Sequence, residues 1–394
     1  MLIGLVGKPS AGKSTFFRAA TLAEAEIASY PFTTIKPNRG VGYVKVDCIE
    51  KFFGVKCQPA HGFCIRGNRF VPVELMDVAG LVPGASEGKG LGNQFLDDLR
   101  QADVFIHVLD SSGTTDEEGK PTEDHNPEKD ILFLENELNR WFYGILVKAW
   151  KSFVRKTEQE DESFAEAVAK QFSGLKVTED QVKKVLSKIR LPEKPTDWNE
   201  DQLFWFASEL RTESKPTIIA ANKVDLEKGY ENYKLMKVKF PGLTILPCSA
   251  DSELALREAA KAGLIDYIPG EKNFIMKQGL SPQQESALSK IKEKVLDRLE
   301  YGTGVQEILN YAVFNLLDYI AVFPAGANKL ADSKGRILPD CFLLPMGSTA
   351  LDFAYSIHTD LGDKFIKAID AKTKMVLGKN HELKSGDAIE IVTR

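Results

Sequence analysis

Long apolar runs are missing from this 394-residue chain. No stretch of about 18 apolar residues is present that could span a bilayer, so no membrane role is expected. An apolar strand already begins at residue 2, which leaves no room for a cleavable leader. Cysteine is scarce: five residues are too few for a disulfide framework in a chain of this length. A reducing, cytoplasmic setting is therefore expected. A charge excess of one sign is lacking too. The 51 basic and 56 acidic residues leave a formal −5, which excludes wholesale coating of nucleic acid and gives no reason to expect DNA, though local basic faces remain possible. Repeats and low-complexity tracts are absent. What is present is a hydrophobic fraction of 43 %, ample for the two or three domains that the length implies.

The chain is organised around MLIGLVGKPSAGKSTFF. Leu2, Ile3, Leu5 and Val6 read as an interior parallel strand. Gly7, Lys8, Pro9, Ser10, Ala11, Gly12, Lys13 and Ser14 match G-x-x-x-x-G-K-[ST] without a mismatch, and Thr15, Phe16 and Phe17 open a helix. Strand, glycine turn and helix in that order point backbone N–H groups and a helix N-terminus at one anion. Lys13 adds a charge for β- and γ-phosphates and Ser14 a hydroxyl for Mg²⁺, so residues 7–15 are the expected nucleotide cradle.

Further along, YPFTTIKPN reads as a loop before a strand, with Thr34, in preference to Thr33, expected to meet Mg²⁺ and the γ-phosphate. VPVELMDVAG gives a strand ending in D-x-x-G: Asp77 is the expected metal ligand and the Gly80 amide the γ-phosphate contact. Lys13, Thr34 and Gly80 form the expected catalytic set, and Ser14, Thr34 and Asp77 the metal set. The Gly-rich LVPGASEGKGLGNQFL then reads as a switch segment. Leu81 stands where Ras-like proteins keep a water-orienting glutamine, so slow hydrolysis by the free protein is expected. An arginine from a partner, or ordering of Gly84 to Gly92, would raise it on the order of 10³–10⁵-fold. PTIIAANKVD closes another strand with Asn222, Lys223 and Asp225. The aspartate can accept from N1–H and the amino group of guanine, a donor pair that adenine lacks, while Asn222 holds the loop and Lys223 packs on the base. LTILPCSA follows, with the Ser249-Ala250 turn expected to offer a main-chain amide to guanine O6.

Other segments carry less chemistry. Cys48, Cys57, His61 and Cys64 suggest zinc, but Cys48 stands apart and two close ligand pairs are missing, so reduced cysteines in a small hairpin are expected. His107 reads as a core or sheet-edge residue. Residues 128–212 are long amphipathic runs; Lys148, Lys151, Arg155 and Lys156 could meet RNA, but an EQEDE run offsets them and a solvated face is expected. Residues 282–316 read as helical. After Leu317 short strands surround one helix starting near Thr349. His358 and Asp360 have no nucleophile beside them.

GKPSAGKSTFF, YPFTTIKPN, DVAGLVPGASEGKGLGNQFLDDLRQAD and GSTALDFAYSIHTDLG together resemble the Obg-like GTPases of the translation-factor class, most closely the YchF branch. The last run is similar to the TGS module, a β-grasp fold. The resemblance is weakest over residues 113–212 and in the cysteine-bearing hairpin. It implies work on ribosomes or RNA. Some YchF members have lost the guanine tetrapeptide and prefer ATP, whereas this chain keeps Asn222, Lys223 and Asp225. Many relatives carry Asn in place of Ser10, and in potassium-activated members that Asn helps hold the cation.

The expected fold class is α/β: a P-loop NTPase with a doubly wound, mainly parallel sheet, a helical insertion and a C-terminal α+β β-grasp domain. The expected division is 1–125, first part of the GTP-binding domain; 126–212, insertion; 213–316, second part with helices; and 317–394, β-grasp. The expected activity is Mg²⁺-dependent hydrolysis of GTP as a switch. A GTP-ordered binding module with incidental turnover, or an ATPase of the same family, are the alternatives.

Overall fold

The computed structural model describes residues 1–22, 38–78, 80, 99–160, 162–332 and 334–394. Strand β1 (Leu2–Val6) is buried along its whole length, as an apolar run between parallel neighbours must be. It lies at the centre of a seven-stranded sheet formed with β2 (Arg39–Asp47), β3 (Phe63–Ile65), β4 (Asn68–Asp77), β5 (Val104–Asp110), β6 (Thr217–Asn222) and β7 (Ile245–Pro247), in the order β2-β4-β1-β5-β6-β7. The pairs β4/β1, β1/β5, β5/β6 and β6/β7 are parallel. At the other edge β2 and β3 both run antiparallel to β4, β3 pairing where β1 no longer reaches. Register sets Leu5 opposite Asp77, Val6 opposite His107 and Asp110 opposite Asn222. The carboxyl ends of four strands therefore open on one crevice, where a doubly wound sheet holds its ligand.

Helix α1 (Lys13–Thr21) follows β1 and buries Phe16, Ala19 and Ala20, of which Phe16 and Ala20 join a core shared with Ile3, Leu5, Val73, Ile106 and Ile308. A short α2 (Glu50–Phe53) follows β2. Between the neighbouring strands β5 and β6 the chain makes a helical excursion: α3 (Glu128–Glu160), α4 (Phe164–Gln171), α5 (Glu179–Lys188) and α6 (Glu200–Ser214). Thr178 with Gln181 and Asn199 with Gln202 start α5 and α6 by reciprocal capping boxes. Trp150, Phe164, Trp198 and Phe206 pack ring against ring, with Trp150 and Trp198 stacked at 5.5 Å. That aromatic layer is continuous with the outer core of the sheet through Leu2, Met76 and Phe105.

Helix α7 (Glu227–Lys239) follows β6 and α8 (Ala250–Lys261) follows β7; a two-stranded ribbon, β8 (Ile265–Tyr267) and β9 (Phe274–Met276), comes next. Residues 282–316 are less regular than their sequence suggests. Helices α9 (Pro282–Ile291) and α10 (Val305–Tyr311) each widen into a π turn, Lys292–Leu296 and Ala312–Leu316, and a turn separates them. Beyond it β10 (Tyr319–Pro324), β11 (Phe342–Pro345), β12 (Phe365–Asp370), β13 (Val376–Leu377) and β14 (Ala388–Thr393) form a second sheet in the order β11-β10-β14-β12-β13. Across it lies α11 (Ala350–Ile357), capped by Thr349 and burying Phe353. A second short helix, α12 (Thr359–Asp363), follows where one was expected, because the His358 imidazole accepts from the Asp360 amide and restarts the turn. Among the described residues no helix is long and apolar enough to cross a membrane.

Candidate functional site

The loop after β1 passes so close to β5 that a Cβ on Gly7 (φ 146°) would lie 2.4 Å from the Val108 carbonyl oxygen. Only glycine fits there. Ser10 takes a left-handed φ of 60° without that exemption. Gly12, at φ 96°, precedes α1, and no side chain caps its first turn, so the helix presents amides and the positive end of its dipole to the crevice. The Lys13 ammonium donates to the Lys8 carbonyl oxygen at 2.7 Å. Burial lowers its pKa from 10.5 to about 8, against the opposing pull of the Asp77 charge. The Ser14 hydroxyl donates to the Asp77 carboxylate at 2.9 Å, although 63 residues separate them. Gly80 packs on Pro9: a Cβ there would approach the Pro9 nitrogen to 2.7 Å. Thr34 and Leu81 lie outside the described residues, as does the segment from Gly84 to Gly92.

Lys8 is turned away from this crevice. Its ammonium, almost fully buried, donates to the Thr115 carbonyl at 2.6 Å and lies 2.8 Å from Asp130 Oδ2. That last contact is an ion pair rather than an aligned hydrogen bond, since Oδ2 has no hydrogen-bond partner. What Lys8 can offer a nucleotide is its main chain. His107 sits inside the central strand β5, not at an edge. Burial and then the charges of Lys13 and Lys8 push its pKa down to about 3, so it stays neutral and shuttles no proton near pH 7.

At the other end of the crevice Asn222 braces three segments. Its Nδ2 donates to the Ala11 carbonyl at 3.0 Å, and its Oδ1 accepts from the Ala250 amide at 3.0 Å. The Ser249 amide donates to Thr303 O. The two amides of the Ser249-Ala250 turn, of which one was expected at guanine O6, thus have internal partners, and the turn acts as a clamp on Asn222. Lys223, at a left-handed φ of 65°, pairs with Asp110 at 2.8 Å. Burial raises the Asp110 pKa, but bonds from Lys223, Ser112 and Thr115 outweigh it and hold the carboxyl below its ordinary range. The Ser249 hydroxyl donates to Asp225 Oδ1 at 2.8 Å, aiming that carboxylate. A cleft of about 500 Å³ joins Ser10 and residues 12–15 to Asn222, Lys223 and Asp225, within the size range of small-ligand sites. Leu226 and Asp251 complete its wall. Sequence reasoning passed over both, and over Asp110 and Asp130; Asp110, an acid closing an apolar strand, was the one that could have been noticed.

The fold is that of a P-loop GTPase carrying a C-terminal TGS domain. Three family models match: a 50S ribosome-binding GTPase over residues 2–137, the G4 motif-containing domain of the Obg-like GTPase YGR210-like family over 220–326, and the TGS domain over 322–393. An uncharacterized GTP-binding protein of Methanocaldococcus jannaschii is 48 % identical over 393 residues, 100 % of this chain and 99 % of that one. The crystal structure of a GTP binding protein from Pyrococcus horikoshii OT3 is similar over the full length of both chains, with 41 % identity and a TM-score of 0.78. A ribosome-binding ATPase YchF of Buchnera aphidicola is 28 % identical over 93 % of this chain and 86 % of its own. The chain belongs to the Obg-like family of GTP-binding proteins, in its YchF branch.

Proposed function

We propose that this GTP-binding protein hydrolyses GTP to GDP and phosphate with Mg²⁺ and works as a switch on the ribosome. The observation that carries the reading is the meeting of Ser14 and Asp77 at one end of a cleft whose other end is Asp225. The donor set fits a hard cation: two oxygens 2.9 Å apart match neighbouring corners of an octahedron with metal–oxygen bonds of about 2.0–2.1 Å. When bound, Mg²⁺ supplies charge to the β- and γ-phosphates. The chain does the rest. Amides of residues 10–15 and the α1 N-terminus hold the phosphates, the Lys13 ammonium leaves the Lys8 carbonyl for a phosphate oxygen, and the Gly80 amide, packed on Pro9, meets the terminal phosphoryl group. Asp225, aimed by Ser249, reads the two guanine donors.

Support for the partner comes from the names of relatives: a ribosome-binding GTPase model spans residues 2–137, and the YchF relative is called a ribosome-binding ATPase. Asp225 favours GTP here. The division of the chain into residues 1–125 and 213–316 around an insertion at 126–212, with a tail from 317, belongs to the same proposal. The test is phosphate release by the full-length chain with GTP or ATP, with and without purified ribosomes, in sodium buffer. Slow multiple turnover with GTP that ribosomes accelerate is expected. Equal turnover of ATP, rapid turnover by the chain alone, or a single burst without turnover would each overturn the proposal.

A further inference from the structure

Cys48 follows the end of β2, Glu50 opens α2, Cys57 lies in the loop beyond, and Cys64 is the middle residue of β3. The fold closes the gap that the sequence leaves between Cys48 and the other two. The three sulfurs and a Glu50 carboxylate oxygen lie within 4.8 Å of one another. Cys48 Sγ is 3.7 Å from Cys57 Sγ, and the Cys64 thiol reaches Glu50 Oε1 at 3.4 Å. A sulfur–sulfur separation of 3.7 Å is far from the roughly 2.05 Å of a disulfide. It matches the edge of a tetrahedron whose centre is about 2.3 Å from each sulfur, close to 3.8 Å, the zinc–thiolate geometry. The backbone holds the frame rigid: the Cys48 amide donates to Gly67 O at 2.9 Å, and the Cys57 amide to Glu50 Oε2 at 2.8 Å.

A second observation points the same way. Arg69, on β4, is fully buried beside the cluster. Its guanidinium donates to the carbonyl oxygens of Leu338 and Pro339, and Nε has no hydrogen-bond partner. No carboxylate pairs with it among the described residues. A buried guanidinium needs a compensating anion, and the thiols are the groups able to supply one. Three thiolates and a carboxylate around a divalent ion leave a net negative centre, which Arg69 offsets.

We propose that Cys48, Cys57, Cys64 and Glu50 bind one zinc ion, a structural site that locks the connection between β2 and β3 against the C-terminal segment. That connection touches the segment through Gln58 N to Ile337 O and Ala60 N to Pro339 O, both 2.8 Å, and Arg69 of β4 reaches it too. Ligands spaced by two, seven and seven residues form no paired knuckle, and His61, the obvious imidazole, is not in the cluster.

The test is metal content of the reduced full-length chain, produced with zinc in the medium and purified without chelator. One zinc per chain is expected, released by a mercurial that titrates thiols, and cobalt added in its place should give the intense visible bands and sulfur-to-metal charge transfer of a tetrahedral thiolate site. Cys57→Ser and Cys64→Ser should each abolish both signals; Cys248→Ser and Cys341→Ser should leave them intact. Retained guanine-nucleotide binding by a variant shows that loss of metal is not loss of fold. Substoichiometric zinc together with no tetrahedral cobalt spectrum in the native chain would overturn the site, whatever the variants do. So would a Cys48–Cys57 disulfide found in the protein as isolated from cells, which would make the pair redox-active, or metal that survives Cys57→Ser.

Discussion

At the scale of single residues, base choice rests on Asp225. Its carboxylate is held by the Ser249 hydroxyl and would accept two charge-assisted bonds from guanine. Losing them at about 1.5–3 kcal/mol each predicts that Asp225→Asn weakens GTP by 10²-fold or more and improves xanthosine triphosphate. Competition binding of the two nucleotides checks this, and unchanged preference would remove Asp225 from the base site. Lys13 carries a pH signature. Its pKa in the folded chain, about 8, lies below the ordinary 10.5. Between those values the unfolded chain binds more protons than the folded one, so stability from this group rises with pH across the window. Phosphate oxygens act in the opposite sense: they restore the ammonium, so nucleotide binding at about pH 8.5 should take up a proton. Calorimetry in two buffers of different ionisation enthalpy reads that uptake, and it should vanish in Lys13→Ala. Much at this scale was legible in sequence, because glycine spacing and N-K-x-D are local. What was not legible is direction. That Lys8 turns into the protein, and that the Ala250 amide serves Asn222, depend on partners more than a hundred residues away or on the far side of a strand.

At the scale of elements, α1 and the strand ends follow from pattern, since apolar runs and a glycine turn need no distant partner. The braces between elements do not. Asn222 joins Ala11 and Ala250 across 211 and 28 residues, and the cysteine cluster is assembled by the path of the chain between β2 and β3, which no spacing rule reveals. The π turns after α9 and α10, and the short α12, arise from local hydrogen bonding superimposed on a correct helical period. The helical layer was read as amphipathic, and its aromatic centre explains why it is stable. Phe206 is fully buried between Trp150, Phe164 and Trp198. Phe206→Ala should therefore cost about 3–5 kcal/mol, seen as an earlier loss of tryptophan signal on heating. Nucleotide affinity should be unchanged, because the cleft is lined from other elements.

At the scale of the whole molecule, the sheet and the helical layer are joined at a charged buried point as well as through apolar packing. Lys8 and Asp130 are both almost fully buried, at 1 % and 2 % side-chain exposure, and Asp130 Oδ1 also meets His125 Nε2 at 2.7 Å. Removing one member strands the other, so Asp130→Ala should destabilise the fold by about 3–5 kcal/mol. Chemical denaturation measures this, and a change below 1 kcal/mol would show the pair to be dispensable. Asp130 is also the third residue of α3, a helix of 33 residues and hence about 50 Å long. The phosphate loop therefore grips the short end of a long lever. A tilt of about 5° about that end would carry the far end of α3 through about 4 Å. Occupancy of the crevice would then be legible at a distance, as the swing of a pointer.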